Sequence, residues 1–124
     1  MKPNKILVID DMSTHLLLLQ TILEEEGYKV LAVDNGEEAI KYIENDPDIS
    51  LVLLDIMMPE VDGYELLEKV KSGDKNVSMP IIIVSAKTDS SSIKEALEKG
   101  AYDYITKPLN VYDIKNKVKS ALAH

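Results

Sequence analysis

Residues 51–59, LVLLDIMMP, carry four branched apolar side chains into an aspartate, two methionines and a proline. The apolar run reads as a strand covered on both faces. An aspartate at its end is costly out of water unless other groups compensate its charge. Asp55 therefore predicts partners elsewhere in the chain.

Working outward, four further short runs read as strands: KILVI at 5–9, KVLAV at 29–33, IIIVS at 81–85 and YDYI at 102–105, with LVLL at 51–54 between them. Longer segments of helical period separate them, the alternation expected of βα units around a parallel sheet. The first helix is expected from about Ser13 to Glu26, ended by Gly27, and the second from near Glu37 to before Pro47. The third opens near Gly63 and carries YELLEKV. The fourth follows Ser90, Ser91 and Ser92, a capping cluster, and ends at Gly100. The last is capped by Asn110 and buries Val111, Ile114, Val118 and Leu122. No repeat or linker interrupts the 124 residues, which are expected to form one domain.

Composition narrows the function. A formal net charge of −8 argues against binding nucleic acid directly or lying on an anionic membrane. All 14 basic residues are lysines, so phosphate chemistry must use lysine, backbone amides or a metal rather than guanidinium clamps. There are no cysteines, no signal-peptide pattern and no apolar run of membrane-spanning length; a cytoplasmic location is expected.

Polar residues fall where the strands end: Asp10 and Asp11, Asp55, Ser85, then Thr106, Lys107 and Pro108. Open α/β sheets bind ligands at the carboxyl ends of their strands, where the strand order reverses. If the order is 2-1-3-4-5, strands one and three are neighbours and Asp10, Asp11 and Asp55 converge. Three carboxylates in one concavity call for positive charge. Lys107 supplies one charge and Mg²⁺ suits the remainder, because it uses one or two carboxylates, keeps several waters and takes phosphate oxygens as further ligands. An ionised aspartate in such a setting is equipped to attack phosphorus.

On VIDD at 8–11, LLDIMMP with DG at 53–63, VSA at 84–86 and YITKP at 104–108, the chain resembles the response-regulator receiver domains of two-component signalling over essentially its whole length. The resemblance implies a doubly wound, flavodoxin-like (βα)5 fold. It implies that Asp55 is the phosphoacceptor, with Asp11 a direct Mg²⁺ ligand, Asp10 acting through a metal-bound water, and the Met57 backbone carbonyl a further ligand. Lys107 would bind a phosphoryl oxygen next to a cis peptide to Pro108. Ser85 would be the switch hydroxyl and Tyr104 the aromatic that turns inward when that hydroxyl moves. Met57 and Lys87 stand where the family tunes phosphate lifetime.

The implied partners are a sensor histidine kinase or histidine phosphotransfer protein, and a downstream effector at the face of helix four, strand five and helix five. A receiver is a switch rather than an enzyme, acting only on its own phosphoryl group. A relay intermediate, or a receiver cut from a larger regulator, fits the same residues. An aspartyl-phosphate phosphatase would want an acid at position 57, and a flavin module would want a phosphate-cradling loop where DDMSTH begins with two acids. His15 reads as a surface histidine. Of the consecutive leucines 16–19, Leu18 and Leu19 are expected on the buried face with Ile22 and Leu23, leaving Leu16 and Leu17 toward solvent, where a histidine donor would dock.

Overall fold

The computed structural model describes residues 4–56, 65–68, 79–86 and 89–123. The elements are β1 (Lys5–Ile9), α1 (Ser13–Glu25), β2 (Lys29–Val33), α2 (Gly36–Asn45) and β3 (Ile49–Asp55). Helical residues 65–68 are the described part of α3. After them come β4 (Ile81–Ser85), α4 (Ser90–Glu98), β5 (Asp103–Thr106) and α5 (Val111–Leu122). The strands form one sheet in the order β2-β1-β3-β4-β5, every pair parallel, so β1 and β3 lie side by side as the polar strand ends require.

Alternate side chains divide the sheet between two apolar layers, the two-residue period of a pleated strand. Ile6, Val8, Leu51, Leu53, Ile82 and Val84 pack against Leu19, Ile22 and Leu23 of α1 and Ile114, Val118 and Ala121 of α5. On the opposite face, Leu7, Ile9, Val52, Leu54, Ile81 and Ile83 meet Ala39 and Ile43 of α2, Leu66 and Leu67 of α3, and Ala96 of α4. The described helices thus cover both faces, and the site lies at the strand ends between the two layers.

Strand boundaries differ from the sequence reading at two places. β3 runs from Ile49 through Asp55 because backbone pairing continues past the apolar run, Ile49 against Lys5 and Asp55 against Val84. β5 begins at Asp103 and includes Thr106, which pairs with Ser85. Gly27 closes α1 with a φ of 91°, in the left-handed region where glycine avoids the steric penalty of a Cβ. Gly100 does the same after α4, with a φ of 110°.

The helix caps are local and specific. Asn35 accepts the Glu38 amide at 2.8 Å and Asn110 that of Asp113 at 3.0 Å. The cap of α4 is Asp89 rather than the serine cluster, since its carboxylate accepts the Ser92 amide at 2.9 Å and the Ser91 and Ser92 hydroxyls at 2.7 and 3.0 Å. These hydrogen bonds, from Ser91 first and then Ser92, hold the Asp89 carboxyl down to about 2. A depressed folded-state pKa means the unfolded chain binds the proton more readily. The cap's contribution is therefore complete above the ordinary aspartate value of 3.8 and fades as pH falls toward 2. NMR titration of the Asp89 side chain should show a midpoint near 2, and a Ser91→Ala, Ser92→Ala double variant should move it upward.

Two helix faces also differ from expectation. In α1, Leu18 is 42% exposed and Leu17 66%, whereas Leu16 packs half-buried against the core. Around the helix Leu16 lies closer than Leu18 to the stripe centred on Leu19, Ile22 and Leu23, so Leu17 and Leu18 form the exposed pair. In α5, Val111 is exposed and Leu122 half-buried, because both flank the narrower stripe of Ile114, Val118 and Ala121.

Candidate functional site

Asp10 follows directly on β1, and Asp55 ends β3 one strand away. Asp10 is 1% exposed and Asp55 3%, while Asp11 stands in solvent beside them. One oxygen from each of the three carboxylates falls within a common 4.8 Å. Among the described residues this is the one cluster of three such ligands. The Asp10 carboxylate is held by the Met12 amide, which donates to Oδ1 at 2.9 Å and leaves Oδ2 turned into the site.

Lys107 comes from the end of β5 and crosses to the acids. Its ammonium donates to Asp10 Oδ2 at 3.1 Å and Asp55 Oδ2 at 3.3 Å. It is 12% exposed. Its own backbone is pinned to the neighbouring strand, the amide donating to the Ser85 carbonyl at 2.8 Å, and the peptide to Pro108 is cis, as the resemblance to receiver domains implies. One ammonium thus faces three carboxylates. That excess of hard, negatively charged oxygen donors fits a hard divalent cation such as Mg²⁺.

Ser85 and Tyr104 occupy the other face of the sheet. Ser85 is fully buried at the end of β4, and Tyr104 pairs with Ile83, placing its ring on the Ser85 side. The two side chains are hydrogen-bonded, and burial pushes the Tyr104 phenol up; the Ser85 bond opposes that shift, while the Asp89 and Asp55 carboxylates add to it. Tyr104 is 4% exposed and belongs to the apolar layer. Its ring is therefore already inward, with Ser85 as partner, whereas the sequence reading has it turning inward only as the hydroxyl moves.

Met57 and Lys87, the proposed carbonyl ligand and a lifetime-tuning position, lie outside the described residues, as do Gly63, Tyr64, Lys69 and Val70 of the predicted third helix. His15, which the sequence alone places on the surface, is instead part of the site. It is half-buried, its Nδ1 lying 2.8 Å from Lys107 Nζ and 3.3 Å from Asp10 Oδ2. The signal available in sequence was its place in the first turns of the helix that leaves the Asp10–Asp11 pair.

The geometry agrees with comparisons to known proteins. A family model described as Response regulator receiver domain matches residues 6–119. The two-component response regulator ORR11 of Oryza sativa is 36% identical over 112 residues, spanning 90% of this chain and 76% of the relative. The alkaline phosphatase synthesis transcriptional regulatory protein PhoP of Bacillus subtilis is 39% identical over 119 residues, but this chain spans only 48% of it. The crystal structure of a CheY-like response regulator receiver domain protein from Methanospirillum hungatei superimposes with a TM-score of 0.89 at 34% identity, covering 98% of this chain and 95% of that one. With the sheet order, the acidic cluster and the match over residues 6–119 in agreement, the chain belongs to the response regulator receiver domain family of two-component systems.

Proposed function

We propose that residues 1–124 act as one receiver that takes a phosphoryl group on Asp55 with the help of Mg²⁺ and changes its partner-binding surface in response. The observation that carries this reading is the Lys107 ammonium bridging two almost completely buried carboxylates, with a third acid completing an oxygen-donor cluster. A purely structural ion pair would not account for the third acid or for a charge excess that one lysine leaves unbalanced.

Asp55 is the nucleophile: one carboxylate oxygen forms a bond to phosphorus while the bond from phosphorus to the donor's histidine nitrogen breaks, its electron pair leaving with the imidazole. The product is an acyl phosphate, with attacking and leaving atoms in line. Asp10, Asp11 and Asp55 would hold the Mg²⁺ together with the Met57 carbonyl, and the bound ion would supply charge neutralisation for the transferring oxygens. Lys107 exchanges its bond to Asp55 for one to a phosphoryl oxygen. Burial of Asp10, Asp55 and Lys107 keeps these interactions little screened by water.

Ser85 is the second donor, its hydroxyl joining the Lys107 ammonium, and engaging the phosphoryl group requires it to give up or share its bond with Tyr104. The buried phenol must then repack. That links phosphorylation to the face formed by α4, β5 and α5, where Leu97 and Tyr112 are exposed. The phosphate shifts the population only as far as it binds the two arrangements differently. The donor would be a kinase or phosphotransfer histidine, the reader an effector protein at that face, and the setting the cytoplasm. No described helix is long and apolar enough to cross a membrane.

The test is the intact mass of the chain after incubation with acetyl phosphate, with Mg²⁺ or with a chelator. A single added phosphoryl group that requires Mg²⁺ and maps to Asp55 is expected. A folded chain that takes none, from acetyl phosphate or from a purified phosphohistidine protein, would overturn the reading.

A further inference from the structure

The Lys107 ammonium has three N–H donors, and three acceptors surround it: His15 Nδ1 at 2.8 Å, Asp10 Oδ2 at 3.1 Å and Asp55 Oδ2 at 3.3 Å. The shortest contact is to the imidazole, the uncharged member of the set. An ammonium has no lone pair to offer, so Nδ1 must accept and the ring carries its proton on Nε2. The 3.3 Å approach of Nδ1 to Asp10 Oδ2 follows from two acceptors sharing one ammonium. The chain links these groups from far apart, residue 15 in the opening of α1 and residue 107 just past β5.

The three acceptors are not equivalent in the proposed chemistry. Asp55 is the nucleophile, and its bond to Lys107 must loosen as the new bond to phosphorus forms. Asp10 belongs to the acidic cluster and would help hold the metal through a bound water, so its carboxylate would also serve a second cation. Only His15 has no second duty, and it can keep hold of the ammonium throughout. A lysine side chain is long and loses much rotamer freedom when ordered. Without a fixed acceptor on the α1 side, the ammonium is free to swing toward solvent or collapse onto a carboxylate.

We propose that His15 is a positioning residue for phosphoryl transfer: by accepting the Lys107 ammonium at Nδ1 it holds that donor where a phosphoryl oxygen on Asp55 will meet it. The role rests on the phosphoacceptor reading of Asp55. It makes the first turns of α1 part of the reaction site as well as its border.

Three chains separate position from structure: the native protein, His15→Leu and His15→Asn. Leucine fills similar space without an acceptor, whereas asparagine presents an amide oxygen at about the reach of Nδ1. With acetyl phosphate and saturating Mg²⁺, His15→Leu is expected to accumulate the adduct about 10-fold more slowly, the scale of losing a partner that orients a site group. His15→Asn should recover most of the rate, and the Mg²⁺ concentration for half-maximal rate should stay the same in all three. Long-range ¹⁵N–¹H NMR on the metal-free native chain should show His15 as the Nε2–H form with a hydrogen-bonded Nδ1, and Lys107→Met should move that nitrogen toward the free-acceptor position.

A native rate in His15→Leu, or no recovery in His15→Asn, would overturn the inference while leaving the phosphoacceptor reading in place. Failure of the native chain to take any phosphoryl group would overturn both, even if NMR shows the contact.

Discussion

Lys107→Met is expected to slow phosphorylation of Asp55 by about 100-fold or more, the scale set by losing one preorganised donor to a developing oxyanion. The same change should destabilise the fold by about 3 kcal/mol, at the low end for breaking a buried ion pair by deleting one partner. Both effects have one origin. Asp10 and Asp55 are almost completely removed from water and share this ammonium, so methionine leaves two desolvated carboxylates facing each other and Asp11. Methionine preserves the length of the stem and the backbone bond from residue 107 to the Ser85 carbonyl, so the change isolates the charge. Urea denaturation measures the stability and the mass time course the rate. A rate within threefold of native would show that the ammonium's role is structural only.

Asp55→Asn should abolish the phosphoryl adduct outright, yet leave the metal-free protein as stable as the native chain or more so by about 1 kcal/mol, within the range gained when a functional compromise is relieved. The amide has the shape of the carboxylate and removes one of the three negative charges gathered around Lys107. Adding Mg²⁺ should reverse the order. A ligand that binds only the folded state stabilises it by about 2.7 kcal/mol at 100 times its dissociation constant. The native site should collect that gain and the asparagine variant much less of it. Thermal unfolding with and without Mg²⁺ reads both effects. A variant that melts well below native without metal would mean that Asp55 is held chiefly for its bond to Lys107.

Much of the fold is legible in the chain because it depends on local rules. The β-branched runs, Gly27 and Gly100 as left-handed stops, and Asn110 as a cap each state what their own segment requires. Boundaries were less legible where pairing outlasts pattern: β3 includes Asp55 because β4 continues to bond it, although the apolar run ends at Leu54. The cap of α4 is not legible in composition for a related reason. A serine cluster is a good cap by composition, but the carboxylate just before it accepts three of the available hydrogens at once.

The acids and the lysine of the site were readable because each sits at the end of a strand, and a parallel sheet gathers all such ends on one edge. Strand alternation and polar strand ends are properties of short windows of sequence, so the sequence alone determined the layers, the parallel sheet and the polar residues at its strand ends, whereas the convergence of Asp10, Asp11 and Asp55, conditional in the sequence on the strand order, follows from β1 and β3 being neighbours. His15 against Lys107, Tyr104 already folded onto Ser85, and Leu16 rather than Leu18 in the core were decided by the tertiary structure. Each depends on how a helix is rotated against the sheet or on which rotamer fills a shared space. Those choices minimise the free energy of contacts between residues far apart in the chain, so no window around either residue contains them.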